Sequence, residues 1–208
     1  MAKIFSGAAR IGGARVVDPI GRGLLRLGIS PDAVTVLGTL GVIVGAVGFG
    51  ARGEFLIAAL IVGVFGLVDF VDGAMARARG YSTRFGALLD STMDRVSDGA
   101  VLGAIGYWYA SIGETPTLVV TLVALVAAQV ISYVKARAQS LDLDCDVGLA
   151  ERAERLVLVG VGGLATGLGV GWALPAAVWL LAILCLITVV QRIVHVRRQD
   201  QARREERA

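Results

Sequence analysis

The sequence predicts an all-α integral membrane protein, with six transmembrane helices preceded by an N-terminal interfacial amphipathic helix. Three observations predict it. Of 208 residues 56% are hydrophobic and the mean hydropathy is +0.74, too apolar for a soluble domain of this size. Six apolar stretches, at about 33–50, 55–71, 88–109, 118–134, 156–174 and 176–194, approach the roughly 20 residues that cross a hydrocarbon core. Basic residues concentrate in alternate connections, a pattern that requires an even number of spans.

The first thirty residues alternate Arg10, Arg15, Arg22 and Arg26 with apolar positions, and Ile20, Leu24 and Leu27 share one helical face. A helix bent near Pro19 and lying on an anionic leaflet fits this pattern. Ser30-Pro31-Asp32 reads as a helix start, with Ser30 as N-cap and Pro31 in the first turn. The backbone N–H groups of Asp32 and Ala33 would then face the interface, where a polar ligand could take them. Gly41 and Gly45 in the first span, and Gly163, Gly167 and Gly171 in the fifth, allow close helix packing within one bundle or between two copies.

Lys3 and the four N-terminal arginines, then Arg77, Arg79 and Arg84, then Lys135, Arg137, Arg152 and Arg155, and finally Arg192 and the tail all fall on one side. The opposite side carries only Arg52. Both termini are therefore expected in the cytoplasm, with the protein in the plasma membrane. Tyr107, Trp108 and Tyr109 would form an aromatic anchor at the outer end of the third span. The chain reads as a single domain over 1–208, with the interfacial helix at 1–30, the bundle at 31–195 and a basic tail at 196–208. Cys145 falls in a loop and Cys185 in a span, so no disulfide is expected. The Asp142-Leu-Asp144-Cys-Asp146 run lacks the glycine and glutamate of a calcium loop and reads as a solvated connection.

The chemistry is concentrated between residues 69 and 94. Asp69 and Asp72 are three apart and Asp90 and Asp94 four apart, so each pair shares a helix face. A charged side chain meeting lipid alone costs about 2.5–3.5 kcal/mol on insertion scales, so four carboxylates in apolar sequence need cations. Two hard divalent ions between two helices would serve. Gly73 leaves room for a ligand at the backbone, and Arg77, one turn on, offers a fork to a phosphate. Asp94 lies eight residues past Gly86, about 12 Å along a helix, which keeps the cluster near the cytoplasmic interface. Arg95 and Asp98 read as an ion pair within the bundle.

The run Asp69-x-x-Asp72-Gly73-x-x-Ala76-Arg77-x₈-Gly86-x₃-Asp90-x₃-Asp94 matches the signature of the CDP-alcohol phosphotransferases without departure. Beyond it, Pro19–Arg26, Asp72–Arg77, Thr83–Asp90 and Gln129–Arg137 resemble the actinobacterial phosphatidylinositol phosphate synthases. The resemblance implies a homodimer of six-helix protomers that transfers the phosphatidyl group of CDP-diacylglycerol to inositol 1-phosphate and releases CMP. It implies two Mg²⁺ ions, with Mn²⁺ possible, on Asp69, Asp72, Asp90 and Asp94, and Asp94 as the general base. It places CDP-diacylglycerol at Asp32, Ala33, Val34, Thr35, Gly73, Arg77 and Thr83. An acceptor that carries a phosphate needs cations, and Lys135, Arg155 and Arg192, nearest the apolar sequence, are the candidates. Glycerol 3-phosphate would make the same demand, whereas a phosphate-free acceptor would leave those cations unpaired. Membrane lipid is the expected surrounding, and no nucleic-acid partner is expected. A metal or substrate transporter is the competing class; the carboxylates lie at one interface instead of the midplane, and no broken half-helices or repeats support it.

Overall fold

A computed structural model describes residues 19–79 and 83–205, except for the side chains of Asp69 and Phe70. Most of the expected interfacial helix, with Arg10 and Arg15, and the Tyr81-Ser82 connection lie outside the described residues. The described residues form helices and turns without strands. Helix α1 covers residues 19–26 and is followed by α2 (Pro31–Gly48), a 3₁₀ turn (Gly50–Arg52), α3 (Phe55–Arg79), α4 (Arg84–Ser111), α5 (Thr115–Gln139), α6 (Arg152–Gly167) and α7 (Ala173–Glu205). These make two compact units, 1–104 and 105–208.

In the first unit α2 begins as its sequence dictates. Ser30, extended at φ −84° and ψ 151°, accepts a hydrogen bond from the Ala33 N–H at 3.2 Å, and Pro31 sits in the first turn. Glycines then bring α2 onto α3. A Cβ at Gly38 would lie 3.2 Å from Val68, one at Gly45 would lie 2.7 Å from Ile61, and one at Gly41 would overlap the Phe65 ring. The Gly41–Gly45 face therefore packs within the protomer. Helix α1 docks on α3 through Gly21, where a Cβ would meet Met75 at 3.2 Å, while Ile20 stays exposed. Leu27 lies beyond the helix, in a turn closed by Gly28 at φ +78°.

In the second unit α7 packs against both α5 and α6. Ala124, Ala128, Ile131, Leu174, Val178, Leu181 and Cys185 are buried there. Gly162 seats α6 on α7, because a Cβ would lie 2.6 Å from that of Ala177 and 3.2 Å from the Ala173 carbonyl oxygen. Many large apolar side chains face outward, among them Leu40, Leu60, Val64, Leu67, Val126 and Val190, each more than half exposed. Such faces suit a hydrocarbon solvent and would be unfavourable in water.

Among the described residues four helices are long and apolar enough to cross a membrane: Pro31–Arg52, Phe55–Arg79, Thr115–Gln139 and Ala173–Glu205. The other two expected spans differ for separate reasons. Helix α4 carries Asp90, Asp94, Arg95 and Asp98, which leaves an uncharged stretch only beyond Asp98. Helix α6 has 16 residues, about 24 Å, because the chain turns at Gly169 with φ +103° before α7 starts. The region foreseen as a tail is largely a continuation of α7, helical to Glu205. Of the aromatic triplet only Tyr107 is well exposed; Tyr109 is buried, since neighbours on a helix point about 100° apart.

Candidate active site

The signature carboxylates that can be described all belong to the first unit. Asp72 lies in the C-terminal half of α3 and is 6% exposed. Its Oδ2 accepts the Thr35 hydroxyl at 2.5 Å, so α2 holds the carboxylate of α3 in one orientation. Thr35 also reaches the Pro31 carbonyl at 3.2 Å, which ties this hydroxyl to the first turn of α2. Asp90 and Asp94 are half-buried on one face of α4, and Asp94 Oδ2 lies 3.8 Å from Arg95 Nη1. Arg95 also donates to the Ser91 carbonyl. Asp98, one turn further, is buried.

The nucleotide-binding candidates form small local groups. Thr83 Oγ1 accepts from the Gly86 N–H at 2.9 Å and so caps α4. A Cβ at Gly86 would lie 2.9 Å from Thr83 Oγ1 and 3.1 Å from Asp32 Oδ1. Gly86 therefore brings the start of α4 against the start of α2, placing Asp32 and Thr83 side by side. A Cβ at Gly73 would lie 3.5 Å from Arg77 Nη1, so the exposed guanidinium extends over bare backbone. The Ala33 N–H is taken by Ser30 and the Val34 N–H goes to the Ser30 carbonyl at 3.3 Å. The open-donor reading of the α2 start thus fails at Ala33, because a good N-cap consumes the donor. Val34 also has its side chain in the core.

Asp72, Asp90 and Asp94 offer only hard oxygen donors, the chemistry that Mg²⁺ and Mn²⁺ require. Among the described residues no three metal-ligating side chains converge by themselves. The donor set fits a divalent ion, and an ion would draw together carboxylates that otherwise repel.

The three candidate acceptor cations belong to the second unit and share one scaffold, the α5–α6 loop. Lys135 Nζ is 2.5 Å from Asp146 Oδ1. Arg192, 3% exposed, donates from Nε to the Val147 carbonyl at 2.8 Å and from Nη1 to the Ile131 carbonyl at 2.7 Å. Arg155, 6% exposed, donates from Nη1 to the Ala150 carbonyl at 3.0 Å. Thr188, on α7, accepts the N–H groups of Leu149 and Ala150 at 3.1 and 3.0 Å. Gly148, at φ +137°, runs so close to Thr188 that no side chain would fit. Sequence reasoning missed Thr35, Thr188 and Gly148 in these structural roles. A glycine after three loop aspartates was the only available signal for the last.

A family model described as CDP-alcohol phosphatidyltransferase matches residues 28–190. The chain belongs to that family. It is 46% identical to the phosphatidylinositol phosphate synthase of Mycobacteroides abscessus, over 88% of this chain and 84% of that one. It is 48% identical to that of Mycobacterium tuberculosis, over 86% and 85% respectively. The crystal structure of the M. tuberculosis synthase with CDP-DAG bound superposes with a TM-score of 0.84 at 46% identity, covering 88% of this chain and 94% of that one. A structure of the same enzyme in complex with manganese and citrate matches with a TM-score of 0.83 at 46% identity, over 86% and 88% of the two chains.

Proposed function

We propose that this chain transfers the phosphatidyl group of CDP-diacylglycerol to inositol 1-phosphate and releases CMP, as a homodimer with its active site and both termini in the cytoplasm. The observation that carries this reading is the anchored carboxylate of Asp72 within an intact signature, in a chain nearly half identical to phosphatidylinositol phosphate synthases. The family-model match runs through both compact units, which supports one transferase domain with α4 and α6 as further spans. Asp69, Asp72, Asp90 and Asp94 would hold divalent metal, Mg²⁺ or Mn²⁺, which supplies charge neutralisation at a pyrophosphate. Two ions are proposed because two carboxylate pairs are present.

Each side chain then has a task that its chemistry permits. Arg77 and the bare backbone at Gly73 bind the diphosphate, with Asp32, Thr35 and Thr83 completing the nucleotide site. Backbone at Ala33 and Val34 lines the same turn. Asp94 takes the proton from the attacking inositol hydroxyl as the new bond to phosphorus forms and the bond to CMP breaks. No covalent enzyme intermediate is needed. Lys135, Arg155 and Arg192 bind the acceptor phosphate.

The test is CMP release by purified protein given CDP-diacylglycerol, Mg²⁺ and one acceptor at a time. Release with inositol 1-phosphate is expected. Release with glycerol 3-phosphate alone would overturn the acceptor assignment, and no release with any acceptor from folded protein would overturn the enzyme reading.

A further inference from the structure

The three candidate acceptor cations each contact a single loop, residues 140–151, and the far end of α7 ties that loop down. Every tie lies on one face of the helix. Thr188 accepts from Leu149 and Ala150, and Arg192 donates to Val147. Val196 packs on the buried cluster of Ala138, Leu143 and Cys145. Gln199 makes a two-point clasp on Asp144, accepting from its N–H at 3.1 Å and donating to its carbonyl at 2.8 Å. The same Gln199 nitrogen meets His195 Nε2 at 2.6 Å. Arg203 Nη2 donates to the Asp142 carbonyl at 2.6 Å, at a residue held in the left-handed region with φ +56°. The spacing 188, 192, 196, 199, 203 is the i, i+3, i+4 repeat of one helical stripe.

This stripe has a consequence for the cations. Lys135 pairs with Asp146, Arg192 donates to Val147 as well as to Ile131 on α5, and Arg155 donates to Ala150, so each has a partner within the same dozen loop residues. The loop leaves α5 through a bonded turn, with the N–H groups of Leu141 and Leu143 on the Ala138 carbonyl and that of Asp142 on the Gln139 carbonyl, and beyond that turn it is tied to α7. Its first half, up to Asp144, is also tied by two α7 residues that follow position 190, where the family-model match ends.

We propose that Gln199 and Arg203 are positioning residues for the acceptor site, acting through the 140–151 loop to place Lys135, Arg155 and Arg192. This rests on the acceptor-phosphate role assigned above to those cations. A side-chain amide suits position 199 because it presents a donor and an acceptor side by side, matching one residue's backbone carbonyl and N–H. Methionine keeps the length of Gln199 and loses both bonds, so Gln199→Met removes the clasp with little change in volume. Glutamate keeps the acceptor but removes the donor, and brings a further negative charge beside Asp144.

The experiment is steady-state kinetics on the purified full-length protein, with Gln199→Met, Gln199→Glu, Arg203→Met and Arg203→Lys. Varying inositol 1-phosphate at saturating CDP-diacylglycerol, and the reverse, separates the two KM values. Gln199→Met and Arg203→Met are expected to raise the acceptor KM roughly tenfold, leave the CDP-diacylglycerol KM within about twofold, and add their effects less than fully in combination. Arg203→Lys should recover much of the wild-type value. Backbone amide exchange at Asp144, Leu149 and Ala150 should quicken in the methionine variants, a readout independent of turnover. An unchanged acceptor KM in both methionine variants would overturn the proposal. So would equal rises in both KM values, or a lower melting temperature with no split between the substrates, since these mark a merely structural role. If wild-type protein itself showed no inositol phosphate dependence while amide exchange still quickened, the acceptor reading would fail and the positioning role with it. If wild-type dependence held and the variants matched it, only the positioning role would fall.

Discussion

The Thr35–Asp72 bond gives a direct route to the metal dependence of this enzyme. Thr35→Val keeps the branched shape of the side chain and removes the hydroxyl that Asp72 Oδ2 accepts at 2.5 Å. Both groups are buried, with Thr35 7% and Asp72 6% exposed, so water cannot readily replace the lost donor. A hydrogen bond to a charged group contributes about 1.5–3 kcal/mol. At about 1.4 kcal/mol per factor of ten this corresponds to a loss of roughly 10- to 100-fold in metal affinity, the range typical of groups that orient a metal ligand. The assay is the Mg²⁺ dependence of CMP release at saturating substrates. Half-saturating Mg²⁺ should rise by one to two orders of magnitude in Thr35→Val, and Thr35→Ser should restore most of the wild-type value by returning the hydroxyl. A folded Thr35→Val protein with the wild-type Mg²⁺ curve would refute the claim that this hydroxyl orients Asp72 for metal.

Other perturbations test separate parts of the reading. Asp94→Asn should abolish turnover while CDP-diacylglycerol still binds, as measured by retention of labelled donor; full activity would remove Asp94 as the base. Arg155→Ala and Arg192→Ala should each raise the acceptor KM, and Arg192→Ala should also lower the melting temperature because it frees the Val147 and Ile131 carbonyls. Gly162→Ala should lower stability by about 1–3 kcal/mol by forcing α6 from the Ala173 backbone, whereas Gly160→Ala, with no atom within 4 Å, should be neutral or stabilising in a thermal melt. Burial pushes the Cys145 thiol up, against the opposing pull of Arg192 and Lys135. The folded protein therefore keeps the thiol protonated where the unfolded chain ionises it, so this group's contribution to stability is full below the ordinary thiol pKa and is lost as pH rises beyond it. Maleimide should label Cys145 slowly at neutral pH in folded protein and rapidly after denaturation; fast labelling of folded protein would contradict this.

The parts of the molecule legible in the sequence are those set by local chemistry. Ser30-Pro31 starts α2 as its residues require, and the acid-rich run after α5 is a loop as read, although Leu143, Cys145 and Ala150 within it are buried instead of solvated. The signature spacing identified the family outright. What sequence did not reveal were interactions between distant residues. Thr35 and Asp72 are 37 positions apart, and Thr35 drew notice only as a nucleotide contact. Gly162 seats α6 on α7, whereas the spacing had pointed to Gly163, Gly167 and Gly171, the last of which lies beyond the helix. A small-residue spacing shows where helices can approach, and only the partner surface selects which glycine is used. Span counting failed to close at α6 because that helix is short, and at α4 for a reason of charge. Hydropathy treats Asp90, Asp94 and Asp98 as obstacles to insertion, although a metal site would make them part of the buried interior.

The way the arginines are held bears on what they are for. Arg192 and Arg155 donate to the backbone carbonyls of Val147, Ile131 and Ala150. A guanidinium is a rigid planar fork, so carbonyl partners on fixed backbone set the direction in which its remaining N–H groups point. Both side chains are at most 6% exposed, which leaves them little freedom to reorient without the backbone that holds them. Val147 and Ala150 belong to the same loop, so a shift of that loop would turn both guanidiniums together. Lys135 is paired with Asp146 of the same loop, whose carboxylate is three-quarters exposed, so solvent screens that pair. On the acceptor role proposed for Lys135, Arg155 and Arg192, the loop that touches all three is therefore part of how the acceptor is chosen.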